Sequence, residues 1–318
     1  MDGRAASLRR PWALGLVAFS LFALTTSSPA VAGDVAVLLS ARVDAYSDAL
    51  RGFKSSLQGH RVVETYDMEG DAGRGSKLLG QIESKGKPDL IFAIGVWALK
   101  ATLKSPPSTP VVYAMVLNPE SVVGGRSANV TGASMNVSVA ESLRLLRKLG
   151  PQIKRVGLVY SKDKTGYLVD EAKALAAGLG IELVARSASS PGKAIQAVDS
   201  IQKAGIDAYW YLPDEMMLAA PVSKHVFLTA HRHGIPILGM SERQAQMGAL
   251  LTLSFASSKD IGSQAGELAN SILAGRRTSE IPGTSAREVS LTVNLKTARK
   301  LGVTIPESIL VAANELIK

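Results

Sequence analysis

Four short apolar runs recur in the same order in each half of the chain, and this recurrence restricts the fold more than any other feature. The first half carries VAVLLS (35–40), RVVETY (61–66), DLIFAIG (89–95) and PVVYAMV (110–116); the second carries RVGLVYS (155–161), IELVAR (181–186), DAYWYL (207–212) and PILGMS (236–241). Corresponding runs lie about 120 residues apart. Runs this short and apolar, separated by segments of helical period, describe strands covered on both faces by helices. The fold class is therefore α/β, with parallel sheets in two similarly wound lobes.

Helix signals fall between these strands. SVAE at Ser138 to Glu141 has the form of a capping box opening ESLRLLRKLG, in which Leu143, Leu146 and Leu149 mark an apolar face and Gly150-Pro151 ends it. Ser190-Pro191 supplies an N-cap and a first helical residue, and HRHG (231–234) puts cations and a glycine at a helix C-terminus. After ALLTLSF (249–255) come a helical pattern over 259–273, the run VSLTVN (289–294) and two short helices, the last opening at Pro306. The chain thus runs on past a second lobe. Its late elements can return to the first lobe, which would make the connection a bundle of several strands.

The first 32 residues read as a secretory signal peptide. Arg4, Arg9 and Arg10 precede an apolar run from about Trp12 to Leu24, and SSPAVA places Ala30 and Ala32 for cleavage after Ala32. The run is too short to cross a bilayer comfortably, so removal is expected and not anchoring. Without any cysteine there can be no disulfide, thiol nucleophile, thiolate metal site or lipid-modified cysteine. An exported chain with no lipid anchor is expected in a periplasm. Loss of the leader lowers the net charge from +9 to +7, and the remaining Lys and Arg are spread without a basic block. That pattern is a solvated basic surface, so no nucleic-acid partner is expected.

Catalytic motifs fail on spacing. In MEGDAGRGSKLLGQI (68–82), Gly70 and Gly75 have the separation of a phosphate loop, but Ser76 precedes Lys77 where the chemistry needs Lys and then a hydroxyl. The stretch reads as a strand-to-helix turn. A nucleophile elbow is broken by Arg243 in GMSER. His231 and His233, two residues apart on a helix, point to different sides and do not share a metal. Asn129 and Asn136 open glycosylation sequons that read as a strand end and a cap. No cofactor or metal is expected, and an α/β enzyme is the least favoured reading.

What remains is geometry. Ligands of open parallel sheets bind outside the carboxyl ends of the strands. The loops there are SARVDAY (40–46), GVWA (95–98), VLNPES (116–121), YSKDKTGY (160–167), LPDEMM (212–217) and GMSERQ (239–244). They carry the candidate ligand-binding residues Tyr46, Trp97, Asn118, Tyr160, Tyr167, Asp214, Ser241 and Glu242. Trp97 either packs on a ligand or covers a lobe core. Asp214 either pairs with a ligand cation or caps the following helix. Tyr209, Trp210 and Tyr211 lie within a strand and read as core, and Met216 and Met217 as helix packing.

GD at 70–71, KPDLIFAIG (87–95), TPVVYAMVLNP (109–119), NVTGASMNVSVAESLRLLRKLGPQIKRVGLVY (129–160) and VNLKTARKLGVTIPES (293–308) resemble the substrate-binding proteins of bacterial ABC importers, in the subgroup with tryptophan- and phenylalanine-binding members. The likeness covers nearly the whole chain after the leader. It implies the periplasmic binding protein type I fold: two Rossmann-like, doubly wound lobes with three crossovers. It places an N-terminal lobe at 33–133 plus about 257–285 and a C-terminal lobe at 134–256 plus about 286–318. The implied protein is a non-enzymatic monomer that captures a small molecule, aromatic or apolar or amino-acid-like, for the membrane permease of an ABC importer. A membrane sensor is the alternative partner. The resemblance keeps an acidic residue suited to a ligand ammonium at Asp214. Elsewhere the pattern departs: Glu215, Asn118 and Met240-Ser241 stand where the family has Asn, Asp and Ser-Asp, Gly166-Tyr167 replaces Asn-Ser, and Trp97 enters a turn that is commonly Thr-Pro-Ala-Ala. The scaffold fits the family better than the pocket fits an amino acid.

Overall fold

The computed structural model describes residues 32–125 and 128–318. The leader expected over residues 1–32 lies, but for Ala32, outside the described residues. The first lobe runs β1 (Asp34–Leu39), α1 (Asp44–Ser56), β2 (Arg61–Asp67), α2 (Gly75–Ser84) and β3 (Leu90–Ile94). It continues through α3 (Val96–Lys104), β4 (Val111–Val116), α4 (Glu120–Val123) and β5 (Val130–Ser134). The second lobe opens with α5 (Val139–Lys148), β6 (Arg155–Tyr160), α6 (Lys162–Ala176), β7 (Glu182–Ser187), α7 (Pro191–Lys203) and β8 (Ala208–Trp210). There follow α8 (Glu215–Leu218), α9 (Ala220–Arg232), β9 (Ile237–Gly239), α10 (Glu242–Gln246) and β10 (Leu251–Phe255). The chain ends with α11 (Ser258–Leu273), β11 (Val289–Asn294), α12 (Leu295–Leu301), α13 (Glu307–Ala312) and β12 (Glu315–Ile317).

The first sheet has the order β2-β1-β3-β4-β5, all parallel. The second contains the equivalent order β7-β6-β8-β9-β10 and extends it by an antiparallel β11 and by β12. The internal repeat read from the sequence is therefore a repeat of topology. Alternation explains why the strands look uniformly apolar: Val35, Val37 and Phe92 face α1 and α11, whereas Ala36, Leu38 and Ile91 face α2 and α3. With helices on both sides, every position of β3 and β4 is buried. The edge strand β2 exposes most of its residues and is correspondingly polar.

The late helix α11 packs on α1 of the first lobe, while β11 and β12 join the second sheet. The chain crosses between lobes three times, after β5, after β10 and before β11. The crossings hold one another: Ser134 N donates to Thr284 O at 2.8 Å, Ala286 N to Asn136 O at 2.8 Å and Ala256 N to Glu288 O at 2.8 Å.

Two local readings are refined. Ser138 occupies the N-cap of α5, but its side chain makes no capping hydrogen bond, so the expected box with Glu141 does not form. Ser190 does cap α7, accepting from Lys193 N at 3.4 Å. The turn at 68–75 consumes its own amides: Gly70 N donates to Ser40 O, Glu69 N to Asp67 and Gly73 N to Asp71 Oδ1. No cradle of free N–H groups remains there, which is what a strand-to-helix turn requires and a phosphate site does not.

Glycine sets the approach of α1 and α11. A Cβ built on Gly262 would overlap the carbonyl of Ala49, and one on Gly52 would overlap that of Lys259. Backbone cannot swing aside as a side chain can, so Gly262→Ala is expected to cost about 2 kcal/mol or more by forcing the helices apart. Gly80→Ala, on the open face of α2 with nothing nearby, should instead stabilise by about 0.5–1 kcal/mol. Urea denaturation of the two variants against the parent checks both signs.

Candidate functional site

The carboxyl ends of the second sheet surround a cavity of about 270 Å³. Its floor is Trp210, Leu212 and Pro213 beyond β8, Gly239 to Ser241 at the end of β9, and Leu253 to Phe255 on β10. The first lobe supplies Leu117 after β4, and the crossover after β5 supplies Met135 to Val137. Val139 and Ser142 of α5, Leu168 of α6 and Leu218 complete the wall. The space therefore lies where the two lobes meet.

Above it, hydrogen bonds join the lobes through Asn118. The residue is 5% exposed and its backbone is left-handed, with φ of 50°. Its Nδ2 donates across the cleft to Pro213 O at 3.1 Å and Lys164 O at 3.3 Å. Its Oδ1 accepts from the Tyr167 hydroxyl at 2.6 Å, and its N–H donates to Asn136 Oδ1 at 2.8 Å. Burial, followed by the Glu120 charge, raises the Tyr167 pKa, with the Asn136 amide opposing; the phenol thus stays a donor near neutral pH. Asn118 also borders a second cleft of about 280 Å³ that holds the charged side chains Lys100, Lys164 and Glu215.

The eight sequence-predicted residues do not gather in one place. Ser241 lines the cavity and caps α10, accepting from Gln244 N at 3.3 Å; Asn118 and Tyr167 bridge the lobes beside it. Trp97, expected either on a ligand or over a core, is 43% exposed, with Lys100 Nζ 5.1 Å above its ring, and covers no core. Tyr46 presses its hydroxyl against Gly95, and its burial raises its pKa. Beside it Ser40 Oγ accepts from Ala98 N at 2.9 Å, sealing the start of α3. Tyr160 packs on the second-lobe core, and Glu242 is exposed and accepts from Gln246 at 2.9 Å. Neither they nor Trp97 and Tyr46 line the cavity.

Of the two readings of Asp214, the structure shows the helix cap. It is 1% exposed, and its carboxylate already accepts four hydrogen bonds from the protein. Ser161 N and Thr165 Oγ1 meet Oδ2 at 2.7 and 2.6 Å, while Ser161 Oγ and Met216 N meet Oδ1 at 3.0 Å. The side chain caps α8 and ties it to the start of α6, leaving no acceptor turned toward a ligand ammonium.

The cavity wall that sequence reading missed is apolar. Leu117, Leu212, Pro213 and Met240 sit inside loops already singled out, next to the polar and aromatic residues chosen from them. Trp210, correctly read as core at 5% exposure, also faces the cavity. Asp214→Ala would strand three buried donors and is expected to lower stability by roughly 2–4 kcal/mol, read as a fall in the denaturation midpoint; an unchanged midpoint would contradict the capping role.

The comparisons agree with this architecture. The family model described as ABC transporter substrate binding protein matches residues 34–317. A Clostridioides difficile (strain R20291) protein named tyrosine-binding protein is 27% identical over 223 residues, covering 68% of this chain but only 63% of that relative, less than two thirds of its length. A ligand-free, open substrate binding protein with adhesive properties from Clostridium difficile aligns with a TM-score of 0.66 at 22% identity, over 89% of this chain and 98% of that one. A Streptococcus pneumonia ABC domain in complex with L-Trp aligns at 0.59 and 23% identity, over 89% and 100%. These likenesses show the two-lobed α/β fold, and the match over nearly the full length settles kinship: this chain belongs to the ABC transporter substrate binding protein family.

Proposed function

We propose that the protein is a non-enzymatic solute carrier that encloses one small molecule between its lobes and presents it to the membrane permease of an ABC importer. The observation that carries this reading is the cavity of about 270 Å³ at the strand ends of the second sheet, walled from the first lobe by Leu117. Size supports it, since the space lies near the lower end of the range for ligand pockets. The relative named for tyrosine and the solved domain holding L-Trp support a guest of ring-bearing size. A leader removed after Ala32 and a periplasmic location complete the proposal, as does action as a monomer. The transporter family favours a permease over a sensor as the partner.

Work is done by lobe closure. A guest favours the closed arrangement only by the difference in its contacts between closed and open forms. Leu117 adjoins Asn118 in the chain, so the bridges that Asn118 makes to Pro213 and Tyr167 hold this part of the first lobe against the second at the cavity.

Native mass spectrometry of the purified protein should show one co-purified small molecule per chain. Met240→Arg, which drives a charge and extra bulk into the cavity, is expected to reduce that occupancy at least tenfold while far-ultraviolet circular dichroism stays unchanged; full occupancy in the variant would place the site elsewhere. Tyr167→Phe leaves the cavity wall intact and removes one inter-lobe hydrogen bond, so it should weaken guest affinity about 2- to 10-fold, measured by calorimetry with the co-purified molecule.

A further inference from the structure

Resting on the carrier reading, we infer that the guest is an uncharged, largely apolar molecule bearing a ring and a hydrogen-bond acceptor, and not a zwitterionic amino acid. Volume alone does not decide this. The cavity is nearly twice the roughly 150 Å³ that accommodates benzene in a protein core, and a ring with a short side chain fits whether or not it is charged.

Charge decides it. Among the described residues no Asp, Glu, Lys, Arg or His lines the cavity. An ammonium or carboxylate enclosed there would lose its water without gaining a counter-ion. Of the acidic residues that directly follow lining residues, Asp214 is spent on four protein donors and Glu242 is exposed and accepts from Gln246. The charged side chains nearby occupy other spaces. Lys100, Lys164 and Glu215 border the cleft beyond Asn118, and Glu120 and Glu171 border a cavity of about 180 Å³ beside Tyr167 that adjoins the apolar one across Asn136, Val137, Val139 and Leu168. The bridge of Asn118 to Pro213 stands between the first of these spaces and the apolar cavity.

The polar atoms on the wall narrow the guest further. Tyr211 donates to Met217 O at 3.1 Å, Ser142 to Ser138 O at 3.3 Å, and Asn136 Oδ1 accepts from Asn118. Among the wall groups that donate no hydrogen bond to the described residues are the Trp210 indole N–H and the Ser254 hydroxyl. Trp210 is more than nine-tenths buried and lines the cavity, so its N–H is assigned to an acceptor on the guest. An acceptor such as a ketone, ester or ether oxygen would complete it.

Calorimetric titration of the purified protein, freed of co-purified guest by unfolding and refolding, tests this with four probes that share a benzene ring. Acetophenone and toluene are uncharged; L-phenylalanine and 2-phenylethylamine carry charge. Acetophenone is expected to bind at least tenfold more tightly than either charged probe, and more tightly than toluene. Trp210→Phe removes the N–H while keeping an aromatic ring, and should weaken acetophenone about 3- to 10-fold more than it weakens toluene. The toluene result also shows that the variant remains folded around its cavity. Equal or tighter binding of L-phenylalanine or the amine overturns the inference, as does binding of no probe, or an acetophenone affinity indifferent to Trp210→Phe. Any of these leaves the carrier reading to its own test, the response of the co-purified guest to Met240→Arg.

Discussion

One amide holds the lobes together over the cavity. Asn118 turns the chain at the end of β4 through a left-handed conformation, one that asparagine tolerates better than most residues, and so aims its side chain across the cleft. Its bonds to Lys164, Pro213 and Tyr167 are each worth about 1 kcal/mol net. Together they match the few kcal/mol that commonly separate two conformations of a hinged protein. The neighbours of these bonds are themselves cavity wall: Leu117 precedes Asn118 in the chain, and Pro213 both accepts its amide and lines the space. The polar bridge and the apolar enclosure are thus made by the same few residues.

The lining also doubles as core. Trp210, Leu212 and Leu253 belong to the apolar cluster beneath α5 and α6 and at the same time form the floor of the site. Tyr209 and Tyr211 alternate to the opposite face, where they pack under α7 and α9, while Tyr211 also borders the cavity. A strand of alternating aromatics therefore serves one helix layer with two rings and offers the third toward the strand ends. That arrangement makes the binding surface rigid, because its side chains are fixed by packing that the fold requires anyway.

Most of the architecture was legible in the sequence because it rests on local signals that repeat. The eight paired strands, the later runs that form β10 and β11, the pairing of halves and the return of the late helix follow from apolar runs, caps and period. The missed strands are β5 and β12: VTGAS contains glycine and small residues, and β12 is short and half exposed. The site was legible as loops but not as residues. Polar and aromatic side chains are the conspicuous members of strand-end loops, yet Trp97 lies out in solvent and Glu242 answers to Gln246. Whether Asp214 meets a ligand or a helix start depends on Ser161 and Thr165, about 50 residues away, and no spacing rule reports that.

The glycine contact between α1 and α11 joins segments some 210 residues apart in the chain. The first lobe is consequently built from two stretches of the polypeptide, with most of the second lobe intervening. Its core cannot close as the ribosome delivers the early strands; it waits for almost the entire chain, and contacts so remote in sequence form slowly. A polypeptide assembled in this way leaves the apolar faces of its early strands uncovered until the late helix arrives.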